Sequence, residues 1–300
     1  MPRIQTDRLT MWYESFAPTA EPKQDAPILL IGGFSMQATH WPDSLIQGLT
    51  GRGFRVIIFD NRDIGLSDRI QGQRAPSPIK LGVSRLLNRT LPVPYVLDDM
   101  ADDAVSLLDA LEIPEAHIVG MSMGGMIAQL IAIRHPERTR TLCSWSSMTG
   151  RMDEMLIHPK MVPGMLRKPD PDPEVRLKES AAFWTAIGTK RYPTDQARIR
   201  ELVFEAAERA PDISGIPRQF AAILASPSRR PQLKKLNVPT LILHGTKDPL
   251  VPFRAGKAAA ALIPGAMFHV IEDYGHNLPE ALMDEAATQI AANASRVKAA

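Results

Sequence analysis

Ser122 sits at the centre of Gly120-Met121-Ser122-Met123-Gly124, with the apolar run His117-Ile118-Val119 before it and an apolar helical pattern after it. A serine on a sharp strand-to-helix turn occupies strained backbone, and small residues two positions away on each side let strand and helix pass closely. The pentapeptide therefore reads as a nucleophile elbow. A serine hydroxyl is a poor nucleophile at neutral pH, so it needs an imidazole to take its proton and a carboxylate to orient that imidazole and stabilise its cation. Downstream, the apolar run 239–243 leads into His244-Gly245-Thr246-Lys247-Asp248, and the run 267–271 leads into Glu272-Asp273-Tyr274-Gly275-His276. Asp248 is the candidate acid and His276 the candidate base. His269 lies inside a strand-like run, His135 closes a helix before Pro136, His117 starts the strand feeding the elbow, and His244 supports the acid loop. The alternative acid position follows the run 141–145, where residues 144–150 hold no carboxylate and Asp153 is a distant substitute.

Acyl transfer also needs donors for a developing oxyanion, and backbone N–H groups serve without carrying charge or losing side-chain entropy. Met123, directly after the serine, supplies one. The other comes from Gly32-Gly33-Phe34-Ser35 after the run 27–31, and by position it is the N–H of Phe34. Gly33, His40 and Trp41 on the same loop are expected to line a substrate pocket, although His40 and Trp41 could equally cap the helix that begins at Pro42. Eight of the 14 methionines fall between Met121 and Met165. Unbranched thioethers make adaptable apolar surfaces, which makes Met152 and Met155 pocket candidates; ordinary core filling is the competing explanation.

These groups need a scaffold. Apolar runs of strand length at 27–31, 54–59, 117–120, 141–145, 239–243 and 267–271 alternate with helical patterns at 42–49, 96–111, 123–135 and 279–292. That alternation predicts an α/β architecture: a mostly parallel central sheet with helices on both faces, to which residues 9–16 add an antiparallel edge strand. Two segments break the rhythm, a proline- and arginine-rich stretch at 71–94 and a long helical stretch without strands at 149–236. The expected organisation is a core of residues 1–148 and 237–300 with a helical lid inserted at 149–236. Phe183, Trp184, Phe204 and Phe220 are expected to anchor the lid helices to each other or to the pocket.

Three hundred residues at 44% hydrophobic content can bury a sizeable core. The charges balance at 35 basic against 33 acidic with no basic block, so nucleic acid is not an expected partner. The N-terminal residues lack the apolar core of a signal peptide, and no run approaches the length of a membrane span. A soluble cytoplasmic protein, monomer or homodimer, is expected. The single cysteine, Cys143, permits no internal disulfide and sits in a strand-like run where packing is its expected role.

Taken together, Gly32-Gly33-Phe34, the segment Asp60-Asn61-Arg62-Asp63-Ile64-Gly65-Leu66-Ser67, Gly120 to Gly125, Gly245-Thr246-Lys247-Asp248 and Gly275-His276 resemble the α/β-hydrolase superfamily. The order Ser, Asp, His along the chain matches that superfamily and differs from the chymotrypsin-like and subtilisin-like orders. From Gln37 through Trp41-Pro42 to Asp63 the sequence is similar to a group of esterases that includes aclacinomycin methylesterase. One departure is Gly32, where many relatives carry histidine. The resemblance implies hydrolysis of small to medium carboxylic esters by Ser122, Asp248 and His276 with no metal or organic cofactor. Lactone or carbon–carbon bond hydrolysis by the same triad is the alternative, and a non-catalytic ligand-binding module of the same fold a further one. Haloalkane dehalogenase and epoxide hydrolase chemistry usually places aspartate at the elbow, which Ser122 disfavours.

Overall fold

Valine and isoleucine, branched at Cβ, crowd a helix but fill a pleated surface, and uninterrupted apolar runs containing them suit strands buried on both faces. In a computed structural model, which describes residues 2–21, 26–87, 89, 92–155, 159–161, 170 and 172–297, the runs become strands of one sheet. In chain order the elements are β1 (Arg3–Gln5), β2 (Thr10–Phe16), β3 (Ile28–Ile31), α1 (Asp43–Thr50), β4 (Val56–Phe59), α2 (Pro78–Leu86), α3 (Leu97–Ala110), β5 (Ala116–Met121), α4 (Met123–Arg134) and β6 (Thr139–Trp145). There follow the helices α5 (Pro173–Ala186), α6 (Gln196–Arg209), α7 (Ile216–Ala225) and α8 (Arg230–Leu233), then β7 (Thr240–Gly245), α9 (Phe253–Leu262), β8 (Met267–Ile271) and α10 (Met283–Ala294).

The eight strands lie in the order β1-β2-β4-β3-β5-β6-β7-β8. From β4 to β8 every pairing is parallel, and β2 joins β4 antiparallel. The strand expected at the edge, β2, is second from it, because the short β1 pairs outside it. Strand β3 has β4 on one side and β5 on the other, so the chain runs outward in both directions from this point, the topological switch at whose C-terminal strand ends open α/β sheets bind ligands. Helices α3, α4 and α9 pack one face of the sheet, with Leu107, Ile127 and Ala255 in its core; α1 and α10 pack the other through Leu45, Leu49, Ala287 and Ile290. Cys143 lies in that second core, and burial pushes its thiol up to about 12, as a packing residue requires. Between β6 and β7 the described residues are helical and contain no strand. No helix among the described residues is long and apolar enough to cross a membrane.

Candidate active site

The elbow is built where β5 meets α4. Ser122 has φ 56 and ψ −119, a left-handed conformation that a non-glycine residue holds only when its surroundings enforce it. The enforcement is visible: Ser122 N–H donates to the Trp145 carbonyl at 2.9 Å, and Ser147 Oγ donates to the Ser122 carbonyl at 2.7 Å. The flanking glycines are required sterically. A Cβ on Gly120 would lie 2.1 Å from the Gly124 carbonyl oxygen, and one on Gly124 would lie 2.0 Å from that of Ile31.

Asp248 follows β7. Its Oδ1 accepts the Leu250 and Val251 N–H groups at 2.9 and 2.8 Å, which fixes the carboxylate and leaves Oδ2 to His276 Nδ1 at 2.6 Å. Nδ1 therefore carries the proton, and Nε2 is left as the acceptor nitrogen, the tautomer a general base needs. Both side chains are almost wholly buried, which strengthens the pair. His244 supports this loop: its Nε2 donates to the Val251 carbonyl at 2.9 Å, and burial lowers its pKa so that the ring stays neutral beside Asp248. Asp153 instead pairs with Arg151 at the protein surface.

The loop after β3 lies against the elbow, where a Cβ on Gly33 would come 3.3 Å from Ser122 Cβ. Met123 opens α4, and the first N–H groups of a helix have no carbonyl partner within it. Phe34 packs on Phe220 of α7 with ring centroids 5.7 Å apart, and His40 stacks on Trp184 of α5 at 5.7 Å and 16°. Both contacts join the strand-end loops to the insertion. Trp41 does not share that surface: it is 2% exposed and packs on Trp145 in the core. Phe204, expected as an anchor, is 51% exposed, because the polar helix α6 turns it outward. Met152 and Met155 belong to a single 3-10 turn, and their side chains lie outside the described residues.

The Asp60–Asp63 loop proves to be a junction of buried ion pairs. Arg62 binds Asp103 of α3 with two nitrogens; Asp60 meets Arg209 of α6 at 2.8 Å, and Asp63 takes both Arg218 Nε and an Nη of α7 at 2.8 Å. The insertion's arginines lie about 150 residues away in sequence, and no local signal announces them. Gln219, fully buried between the two loops, was also missed; its one signal is a polar residue on an apolar helix. A cavity of about 340 Å³ lined by Ser67, Asp68, Arg69 and Asp212 touches none of Ser122, Asp248 or His276. Among the described residues, no group of three or more His, Cys, Asp or Glu side chains could hold a metal ion.

A serine at a strained strand-to-helix turn, with a carboxylate and a histidine bonded to each other at the ends of later parallel strands, defines the serine-nucleophile class of α/β enzymes. Residues 26–280 match the family described as alpha/beta hydrolase fold, and the chain belongs to it. It is similar to rhodomycin D methylesterase DnrP of Streptomyces peucetius, 30% identical over 97% of this chain and 96% of that protein. It is also similar to 2-hydroxymuconate semialdehyde hydrolase of Pseudomonas sp. (strain CF600), 29% identical over 75% of this chain and 78% of that one. Among solved structures, the meta-cleavage product hydrolase CumD of Pseudomonas fluorescens IP01 superposes with a TM-score of 0.75 at 22% identity, covering 99% and 98% of the two chains. That likeness concerns the fold.

Proposed function

We propose that this chain hydrolyses carboxylic esters through an acyl-enzyme, with Ser122 as nucleophile, His276 as general base and Asp248 as the carboxylate that orients and stabilises the imidazole. The observation that carries the reading is the 2.6 Å Asp248–His276 bond, which engages Nδ1 and leaves Nε2 as a proton acceptor. His276 takes the Ser122 proton as Oγ attacks the ester carbonyl, and the tetrahedral oxyanion is received by the N–H groups of Phe34 and Met123. The imidazolium returns its proton to the departing alcohol. A water then repeats the sequence on the acyl-serine and releases the acid. No metal or organic cofactor enters any step. The partner is a small ester, and a cytoplasmic location suits it.

The methylesterase named among the relatives makes methyl esters the first substrates to test. Residues 149–236 act as a lid in this reading, with Phe220, Trp184 and the methionines Met152 and Met155 bounding the acyl space together with Gly33 and His40. Carbon–carbon bond or lactone hydrolysis is the second reading, favoured by the semialdehyde hydrolase similarity. Purified protein is assayed against methyl, butyrate and octanoate esters, lactones and a vinylogous 1,5-diketone. Ester turnover should dominate, and Ser122→Ala should lower kcat by up to about a million-fold with the fold retained. Retention of a tenth of wild-type kcat would remove Ser122 from the chemistry.

A further inference from the structure

We propose that Gln219, a residue of the insertion, positions the oxyanion-binding backbone of Phe34; the inference rests on the ester-hydrolase reading above. Helix α7 presents three consecutive side chains to the core. Arg218 grips Asp63, Phe220 packs on Phe34, and Gln219 between them bridges two loops. Its amide is fully buried and used at both ends: Nε2 donates to the Arg62 carbonyl at 2.8 Å, and Oε1 accepts the Ser35 N–H at 3.1 Å. A backbone carbonyl only accepts and a backbone N–H only donates, so these two partners fix the amide's orientation.

What this does to Phe34 follows from the planarity of the peptide. The Gly33 carbonyl accepts the Met36 N–H at 3.2 Å, which anchors one edge of the Gly33–Phe34 peptide. In a trans peptide the N–H points opposite to the carbonyl, so the Phe34 N–H is directed away from this turn. The next peptide plane is held through the Ser35 N–H by Gln219. Ser35 sits at φ 56, a conformation that a serine leaves when nothing holds it. Two successive planes are thus pinned, one within the loop and one by the insertion, on a turn whose Gly33 lies against Ser122. An oxyanion donor accelerates the reaction only if it is already aimed when charge develops, because reorienting it during the step consumes the gain. Gln219 supplies that aim and touches neither substrate nor nucleophile in this role; it is a positioning residue.

Gln219→Met keeps the side chain's length and removes both hydrogen bonds. In the folded variant kcat should fall roughly 10- to 100-fold with KM within about threefold, a fraction of the 10²–10³ lost when a donor is removed outright. A trifluoromethyl ketone, whose adduct with Ser122 carries the oxyanion, should lose affinity by the same factor, while the product carboxylate binds unchanged. The pH profile should keep its shape, because the Asp248–His276 pair is untouched. A kcat within twofold of wild type, or unaltered ketone affinity, overturns the proposal. Should the variant not fold, amide exchange of wild-type Ser35 decides: slow exchange supports the bond to Gln219, and exchange at the rate of an open loop overturns it. If wild type turns over none of the esters, it is the ester reading that fails, and the exchange measurement still reports on the Gln219–Ser35 bond.

Discussion

At the scale of single residues, the site separates two carboxylates that sequence alone leaves in competition. Asp248 is buried and held by two backbone N–H groups, with its remaining oxygen on His276, whereas Asp153 pairs with Arg151 in solvent. Asp248→Asn should therefore lower kcat by about four orders of magnitude, as the corresponding change does in a serine protease, because the amide favours the wrong imidazole tautomer. Asp153→Asn should change kcat less than twofold, since a surface ion pair contributes little to stability and nothing to the imidazole. Steady-state assays of the two variants on one ester check both expectations; a crippled Asp153 variant would move the acid to the loop after β6. The elbow turn at Ser122 and the pairing of Asp248 with His276 were legible in the sequence, because each residue lies within three positions of a glycine just past an apolar run. Gln219 and Arg218 were not, because their partners are chosen by tertiary contact.

At the scale of elements, His117 shows how a strand inside the sheet couples to acid. It begins the apolar part of β5, is wholly buried, and contacts Thr141 Oγ1 at 3.0 Å on β6. Burial, reinforced by Arg140, pushes its pKa down to about 4 from the ordinary 6.5. The unfolded chain thus binds a proton between pH 6.5 and about 4 that the folded chain refuses, so stability is fully present above 6.5 and declines as pH falls through that window. The decline attributable to this group is a few kcal/mol at most. Urea unfolding of wild type and His117→Asn at pH 7.5 and 5 should show a smaller pH effect in the variant; equal effects would place the acid sensitivity elsewhere. The strands were readable because their runs have no other stable placement than a covered parallel sheet. Helix α9 was not, since Phe253 and Leu262 are the only large apolar residues in it, and α2 lay hidden in a proline-rich stretch.

At the scale of the whole molecule, the insertion is fastened to the core through charge. Arg218 and Asp63 are a buried, doubly bonded pair, and removing one partner leaves the other charged and desolvated. Arg218→Met should therefore cost about 3–5 kcal/mol, and the double change with Asp63→Asn should cost less than the sum of the two singles. Denaturant titrations of the four proteins measure that coupling, and simple additivity would show the pair to be energetically inert. The same segment also reaches the loop after β8, where the His276 N–H donates to the Ile187 carbonyl at 2.8 Å and the Asn277 amide donates to the Tyr192 carbonyl and Thr194. A segment that holds the loops after β3, β4 and β8 at once cannot behave as an exchangeable cassette. Grafting the corresponding segment from another member of the family would replace the partners of Ser35, Asp63 and Asn277 at once and loosen three loops together.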